Sequence, residues 1–169
     1  MARPAPLAVT VSRDIDAPAQ RIYDLISDVT GIGRFSPETR SAEWLDGATG
    51  PAVGARFRGR NAIGLLRWST VPTVTAAEPG RRFAFDVPAP SNSTWSSDLA
   101  PAPGGGTRVT ESMRRSTPQP LILRVLQRLA GVTDRAEHLR AGMSATLAGL
   151  AAAAEVHDNA QDRPVRTAL

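Results

Sequence analysis

Apolar and polar side chains alternate with a period of two between residues 39 and 117, which is typical of β-strands with one buried face. Short stretches rich in glycine and proline, such as Pro79-Gly80 and Gly104-Gly105-Gly106, separate the alternating segments. The pattern predicts six strands, at about 39–46, 54–62, 65–77, 81–88, 93–100 and 107–117. A further strand is predicted at 7–15, which is rich in β-forming residues. Because the separators are short, we expect the six strands to pair as antiparallel hairpins.

The alternation predicts that one face of the sheet is apolar and aromatic, whereas the other carries many arginines. The predicted inward residues are Phe57, Gly59, Asn61, Leu66, Trp68, Thr70, Phe83, Phe85, Val87, Trp95, Ser97, Leu99, Val109, Glu111 and Met113. An antiparallel sheet with this pattern needs another layer over its apolar face.

Helical spacing of apolar residues predicts the remaining elements. A first helix follows the 7–15 strand, and a short helical turn at about 32–35 ends before Ser36-Pro37. A second amphipathic helix at 121–130 carries an apolar stripe that we expect to dock on the domain, opposite Arg124 and Arg128. The last helix is predicted from about 133 to 156, with Leu139 and Met143 on its apolar face.

These elements predict an α+β domain with the order β-α-α-β6-α. Its curved antiparallel sheet of about seven strands wraps around the long C-terminal helix. Because such a sheet cannot close tightly on one helix everywhere, we expect an elongated cavity between them. The predicted organisation is a disordered N-terminus at 1–6, a single domain at 7–156 and a flexible C-terminal tail at 157–169.

Composition and charge exclude several classes of function. The chain has no cysteine, which excludes thiol nucleophiles, disulfides and cysteine metal sites. Its two histidines, His138 and His157, are far apart and have no acidic partner at ligand spacing, so we predict no metal and no cofactor. The net charge is +4, but sixteen acidic residues are interspersed with the arginines, which argues against nucleic-acid binding. No signal peptide or integral membrane segment is predicted, so a cytoplasmic location is expected.

Three tryptophans and one carboxylate are the candidates for a functional site. Trp44, Trp68 and Trp95 lie on three predicted strands, where they either stack on a flat ligand or complete the core. Glu111 is predicted to face inward, where burial raises the pKa of a carboxyl and suits it to acid or base catalysis. The favoured alternative is a structural role, in which Glu111 pairs with an inward arginine or hydrogen-bonds to Asn61. Asn61 either orients a ligand carbonyl or stabilises a turn.

Several short motifs occur in the order and spacing of a known superfamily between about Val9 and Ala154. They are Asp16-Ala17-Pro18, Asp28, Ser36-Pro37-Glu38, Trp44, Val53-Gly54-Ala55-Arg56-Phe57, Glu78-Pro79-Gly80-Arg81-Arg82-Phe83, Gly105-Gly106-Thr107-Arg108-Val109-Thr110-Glu111 and Gly142-Met143. In these features the chain resembles the START-like (SRPBCC) superfamily, which includes polyketide cyclases/dehydrases and lipid-transfer domains. The resemblance implies the helix-grip fold. The superfamily members that we expect to be most similar to this chain often carry tyrosine at the position of Ser97 and asparagine at that of Leu139. Because serine and leucine occupy these positions here, we expect the pocket to be less polar than theirs and less suited to catalysis.

The leading hypothesis is that the protein binds a hydrophobic small molecule, such as a lipid, a polyketide or another aromatic metabolite. The predicted binding residues are Trp44, Phe57, Asn61, Trp68, Phe85, Trp95, Ser97, Met113, Leu139 and Met143. One alternative is a polyketide cyclase/dehydrase that uses Glu111 as its acid or base. Another is a protein-interaction module with no ligand, which would have no cavity. The protein is expected to be a monomer or a homodimer.

Overall fold

A computed structural model describes residues 7–115, 117–118 and 120–161 of the 169-residue chain. The described strands are β1 (Leu7–Ile15), β2 (Thr39–Trp44), β3 (Phe57–Ile63), β4 (Leu66–Thr70), β5 (Thr73–Glu78), β6 (Arg82–Val87), β7 (Ser93–Pro101) and β8 (Thr107–Arg115). The helices are α1 (Ala19–Ser27), a 3₁₀ helix (Val29–Arg34), α2 (Leu121–Leu129) and α3 (Arg135–Gln161).

The strands form two antiparallel sheets whose inner faces are covered by α3. One sheet has five strands in the order β1-β8-β7-β6-β5, and the other has three in the order β2-β3-β4. Backbone hydrogen bonds join the two sheets, because Phe57 N donates to Pro72 O at 3.2 Å and Val74 N donates to Ala55 O at 2.8 Å. The predicted α+β helix-grip architecture is confirmed.

The predicted strand at 65–77 is two strands, so the described residues contain eight strands and not seven. The chain leaves the three-stranded sheet at the end of β4 and enters the five-stranded sheet at the start of β5. Val71-Pro72 lies between them, and a proline has no backbone N–H to donate to a sheet ladder. Pro72 therefore marks in the sequence the position at which β4 and β5 separate.

The core lies between α3, α1 and the inner faces of the strands. Its larger cluster includes Ile22 of α1, Val109 of β8, and Leu147 and Leu150 of α3, all buried. A second cluster joins Val9 of β1 and Met113 of β8 to Leu139 and Met143. Helix α3 packs most closely against β1, and the second cluster places its N-terminal half, through Leu139 and Met143, with Val9 and Met113.

The bounds of α3 differ slightly from those predicted. Asp134 caps the helix, because its Oδ1 accepts hydrogen bonds from Ala136 N at 2.9 Å and Glu137 N at 3.1 Å. The helix continues to Gln161, beyond the end predicted at 156. The predicted disordered N-terminus at 1–6 and the rest of the predicted tail, 162–169, lie outside the described residues.

The prediction that α2 docks by its apolar stripe is wrong. Leu121, Ile122 and Leu129 are exposed, with Leu129 81% accessible. The helix instead turns Leu123 and the buried Gln127 toward the interior. The interior beneath α2 is a cavity with a polar end, which accommodates a glutamine amide.

Candidate functional site

A cavity of about 710 Å³ lies between α3 and the concave faces of both sheets. The segment from the 3₁₀ helix to β2 bounds it on one side, with Ile32, Pro37 and Glu38 in its wall. Another part of the cavity is bounded by the loop between β6 and β7, through Pro90 and Ser91, and by helix α2, through Leu123 and Gln127. Ligand sites in proteins commonly measure roughly 300–1,000 Å³, so the cavity has the size of a small-molecule site.

Ten of the eleven predicted site residues line this cavity. They are Phe57, Asn61, Trp68, Phe85, Trp95, Ser97, Glu111, Met113, Leu139 and Met143. The first seven and Met113 come from five different strands, and Leu139 and Met143 face them from α3. The period-two alternation brings the strand residues together, because alternate side chains of a strand lie on the same face.

Trp44 is the exception and does not line the cavity. It lies at the end of β2, directly across from Phe57 of β3. The two rings meet edge-on with their centroids 5.6 Å apart. Phe57 is the member of this pair that lines the cavity. The expectation that Trp44 lines the cavity is therefore wrong, and its described role is in the core.

Aromatic rings make a continuous wall along β3, β6 and β7. Phe57 meets Phe85 edge-on at 5.2 Å, and Phe85 stacks on Trp95 at 6.4 Å with an angle of 12° between the rings. Trp95 Nε1 donates a hydrogen bond to Ser93 Oγ at 3.3 Å, which fixes the indole. Such a wall offers flat apolar surface for a ligand to cover.

Glu111 brings a carboxyl group into this apolar wall. It lies in β8 between Val11 of β1 and Ser97 of β7. Its Oε2 is shielded from solvent and has no hydrogen-bond partner among the described residues. Burial raises the pKa of Glu111 from 4.5 to about 8, because the low-polarity surroundings penalise the charged form. At neutral pH the group is therefore a protonated acid with an O–H to donate.

The structural role that we favoured for Glu111 in the sequence is not found among the described residues. No arginine pairs with it there. Asn61 uses its side-chain oxygen elsewhere, because it accepts a hydrogen bond from Thr39 Oγ1 at 2.9 Å across the β2–β3 pair. Asn61 thus ties two strands together at the cavity wall, and Ser97 lies beside Glu111 on the neighbouring strand.

One end of the cavity is polar, and its charged residues were not among the predicted site residues. Arg135 and Glu38 form a bidentate ion pair, with Nη2–Oε1 at 2.8 Å and Nη1–Oε2 at 2.9 Å. His138 Nε2 lies 3.7 Å from Glu38 Oε2, and Arg115 and Gln127 complete this end. Two signals were available. Arg115 continues the inward alternation of Glu111 and Met113, and Arg135 continues the inner face of α3 by one turn from Leu139.

The arrangement suits binding of an apolar molecule that carries a hydrogen-bond acceptor. Across 7–115, 117–118 and 120–161, no three histidine or acidic side chains are grouped closely enough to hold a metal ion. In the same residues, no helix is long and apolar enough to cross a membrane.

Comparison with protein families gives a match over nearly the whole domain. Residues 6–155 match the family described as polyketide cyclase/dehydrase and lipid transport. No curated protein sequence matches the chain.

Solved structures of this architecture come from bacteria and plants. A Polyketide_cyc-like protein of Corynebacterium glutamicum is 30% identical, with a TM-score of 0.56 over 98% of this chain and 99% of that one. A protein of Thermus thermophilus is 19% identical, with a TM-score of 0.68 over 89% of this chain and 99% of that one. A major latex-like protein of Panax ginseng is 11% identical, with a TM-score of 0.67 over 88% of this chain and 97% of that one. The last two similarities concern the fold alone.

Proposed function

Because the chain belongs to the polyketide cyclase/dehydrase and lipid-transport family, we propose that it binds a hydrophobic small molecule in its central cavity. A lipid, a polyketide or another aromatic metabolite has the required chemistry. A cytoplasmic location and a monomeric or homodimeric state stay predictions.

The observation that carries the proposal is the unpartnered carboxyl of Glu111 in an otherwise apolar, aromatic wall. A buried polar group without a partner lowers the free energy of unfolding. If Glu111 had only a structural role, an apolar residue at this position would make the protein more stable. A ligand carbonyl or hydroxyl that accepts the Glu111 O–H supplies the missing partner. The large cavity also argues against an interaction module with a filled core.

The test is a panel of lipids and flat aromatic compounds, followed by tryptophan fluorescence and by thermal stability. Trp68 and Trp95 line the cavity and report on its contents. We expect at least one class of compound to raise the melting temperature and change the fluorescence. No response to any compound would refute the proposal.

Two substitutions at Glu111 sharpen the test. Glu111→Leu removes the donor and is expected to weaken binding of ligands with an acceptor by about tenfold, the effect of one buried hydrogen bond. Glu111→Gln keeps an N–H donor and is expected to retain binding, including above about pH 8, where the wild-type carboxyl ionises. Glu137→Gln is the matched control, because Glu137 is exposed and lies away from the cavity.

The raised pKa of Glu111 also favours a second candidate, a cyclase/dehydrase that uses this residue as its acid or base. In a dehydration, the Glu111 O–H would protonate the hydroxyl that leaves as water, and the carboxylate formed would take the proton from the adjacent carbon. Glu111→Gln separates the two functions, because an amide can bind a carbonyl but cannot exchange this proton. Dehydration of a β-hydroxyketone probe by the wild type, lost in Glu111→Gln while binding persists, would establish the enzyme.

A further inference from the structure

Arg115 is a buried cation in the wall of the cavity. It is the last residue of β8, it lines the cavity, and only 7% of its surface is accessible. It lies on the same face of the strand as Glu111 and Met113, which are four and two residues before it. Arginine is seldom buried to this extent unless an anion compensates its charge.

Among the described residues, no carboxylate pairs with Arg115. Its side chain donates from Nε to the carbonyl oxygen of Ser91 at 2.8 Å, which holds the guanidinium in place but does not neutralise it. Burial lowers the pKa of the Arg115 guanidinium, and the positive charge of Arg135 lowers it further, against an opposite effect of Glu38. Arg115 therefore has no counter-ion in the part of the chain that the structure describes.

Arg135 makes the contrast clear. Glu38 neutralises it through two hydrogen bonds of 2.8 and 2.9 Å, so this pair contributes no net charge to the cavity. Arg115 is the buried arginine of this end that has no ion-pair partner among the described residues. A buried cation of this kind fits a ligand group with one negative charge.

We propose that Arg115 forms an anion subsite that binds a single carboxylate at the end of the hydrophobic ligand. This inference rests on the proposed function and specifies its ligand as an apolar acid. Strand residues rise about 3.4 Å each, so Glu111 and Arg115 are separated by about 14 Å along β8. The carboxylate would lie at Arg115 and the apolar body along Met113, with any carbonyl or hydroxyl near Glu111.

The order of the cavity walls supports this orientation. The apolar part of the cavity includes Phe83, which is level with Glu111 in the sheet. It also includes Leu147 and Leu150, which lie about three to four turns beyond Arg135 on α3. These side chains suit the apolar end of the molecule. The end at Arg115 carries Gln127, Arg135 and His138 as well. A ligand in the reverse orientation would bring its carboxylate among phenylalanines and leave Arg115 facing hydrocarbon.

Matched acid and ester probes test the inference at neutral pH. Dodecanoic acid is compared with methyl dodecanoate, and 2-naphthoic acid with methyl 2-naphthoate, by calorimetric or fluorescence titration. The two pairs distinguish a fatty acid from an aromatic acid as the source of the carboxylate. We expect the acid of at least one pair to bind about tenfold or more tightly than its ester, as for a hydrogen bond to a charged group.

Two variants assign the preference to Arg115. Arg115→Gln is expected to bind acid and ester with similar affinity, whereas Arg115→Lys keeps part of the preference. Arg114→Gln is the matched control, because Arg114 is exposed on the opposite face of β8 and is expected to keep the full preference. Circular dichroism checks the fold of each variant, and the wild-type comparison of acid with ester tests for an anion subsite even if a variant does not fold.

The outcomes separate this inference from the proposed function. Equal binding of acid and ester by the wild type would overturn the anion subsite and leave hydrophobic binding intact. A preference for the acid that persists in a folded Arg115→Gln variant would also overturn it. Failure of every acid, ester and neutral probe to bind would overturn both.

Discussion

Glu111→Gln is expected to stabilise the protein at neutral and alkaline pH. In the folded protein, burial raises the pKa of Glu111 to about 8, whereas the solvated side chain has a pKa of 4.5. Between these two values the unfolded chain has released its proton and the folded protein still holds it. The unfolded state therefore binds fewer protons than the folded one, and the free energy of unfolding falls as the pH rises through this window.

The expected loss is large compared with the stability of a domain. Each unit of pKa difference corresponds to about 1.4 kcal/mol. With the two pKa values above, the wild type loses about 4 kcal/mol between about pH 5 and pH 8.5, out of the roughly 5–15 kcal/mol typical of folded domains. Glutamine has nearly the same shape and does not ionise, so the variant escapes this loss.

Urea unfolding followed by circular dichroism at these two pH values measures the effect. The wild type and Glu137→Gln are expected to lose stability together, because Glu137 is exposed and lies away from the cavity. Glu111→Gln is expected to lose about 4 kcal/mol less than either. If Glu111→Gln follows the wild type over this pH range, Glu111 is not held protonated by the fold and the argument for its role fails.

Three other substitutions, with Trp44→Phe as a control outside the lining, test the walls of the cavity. Gly59→Leu is expected to fill part of the cavity and to lower the affinity for apolar probes by about tenfold or more. The fold should be retained, because the nearest side-chain atom to the new Cβ is 3.4 Å away. Unchanged titrations would contradict the placement of Gly59 in the cavity wall. Trp68→Phe is expected to reduce the fluorescence change caused by a ligand, whereas Trp44→Phe leaves it intact, and the reverse result would mean that the ligand lies elsewhere. Glu38→Gln is expected to lower the free energy of unfolding by about 3 kcal/mol, because it leaves the Arg135 guanidinium uncompensated; an unchanged urea midpoint would contradict this.

The sequence predicted the faces of the strands better than their ends. Inward alternation correctly placed Phe57, Trp68, Phe85 and Glu111 in one cavity wall, because the direction of a strand side chain follows from local backbone geometry. The break between β4 and β5 was missed although Pro72 marks it. Local patterns thus identify the face of a strand, whereas one residue that cannot donate a hydrogen bond decides where the strand ends.

Helix α2 shows where periodicity fails. Its apolar stripe was predicted to be buried, yet Leu129 is exposed and Gln127 is buried. Periodicity shows that a helix has two different faces, but the surface on which it packs decides which face is covered. Here that surface is the polar end of a cavity.

The sequence by itself determined the family, the antiparallel architecture and most of the residues that share the cavity. These follow from motif order and from a two-residue period, both of which are local properties of the chain. Only the tertiary structure decided which charged groups have partners. Glu38, near β2, neutralises Arg135 at the start of α3, whereas Glu111 and Arg115 have no ion-pair partner among the described residues. Pairing depends on side chains that are distant in the sequence, and we assign to the ligand these two cavity groups, whose charged forms the fold shields from solvent without an ion-pair partner.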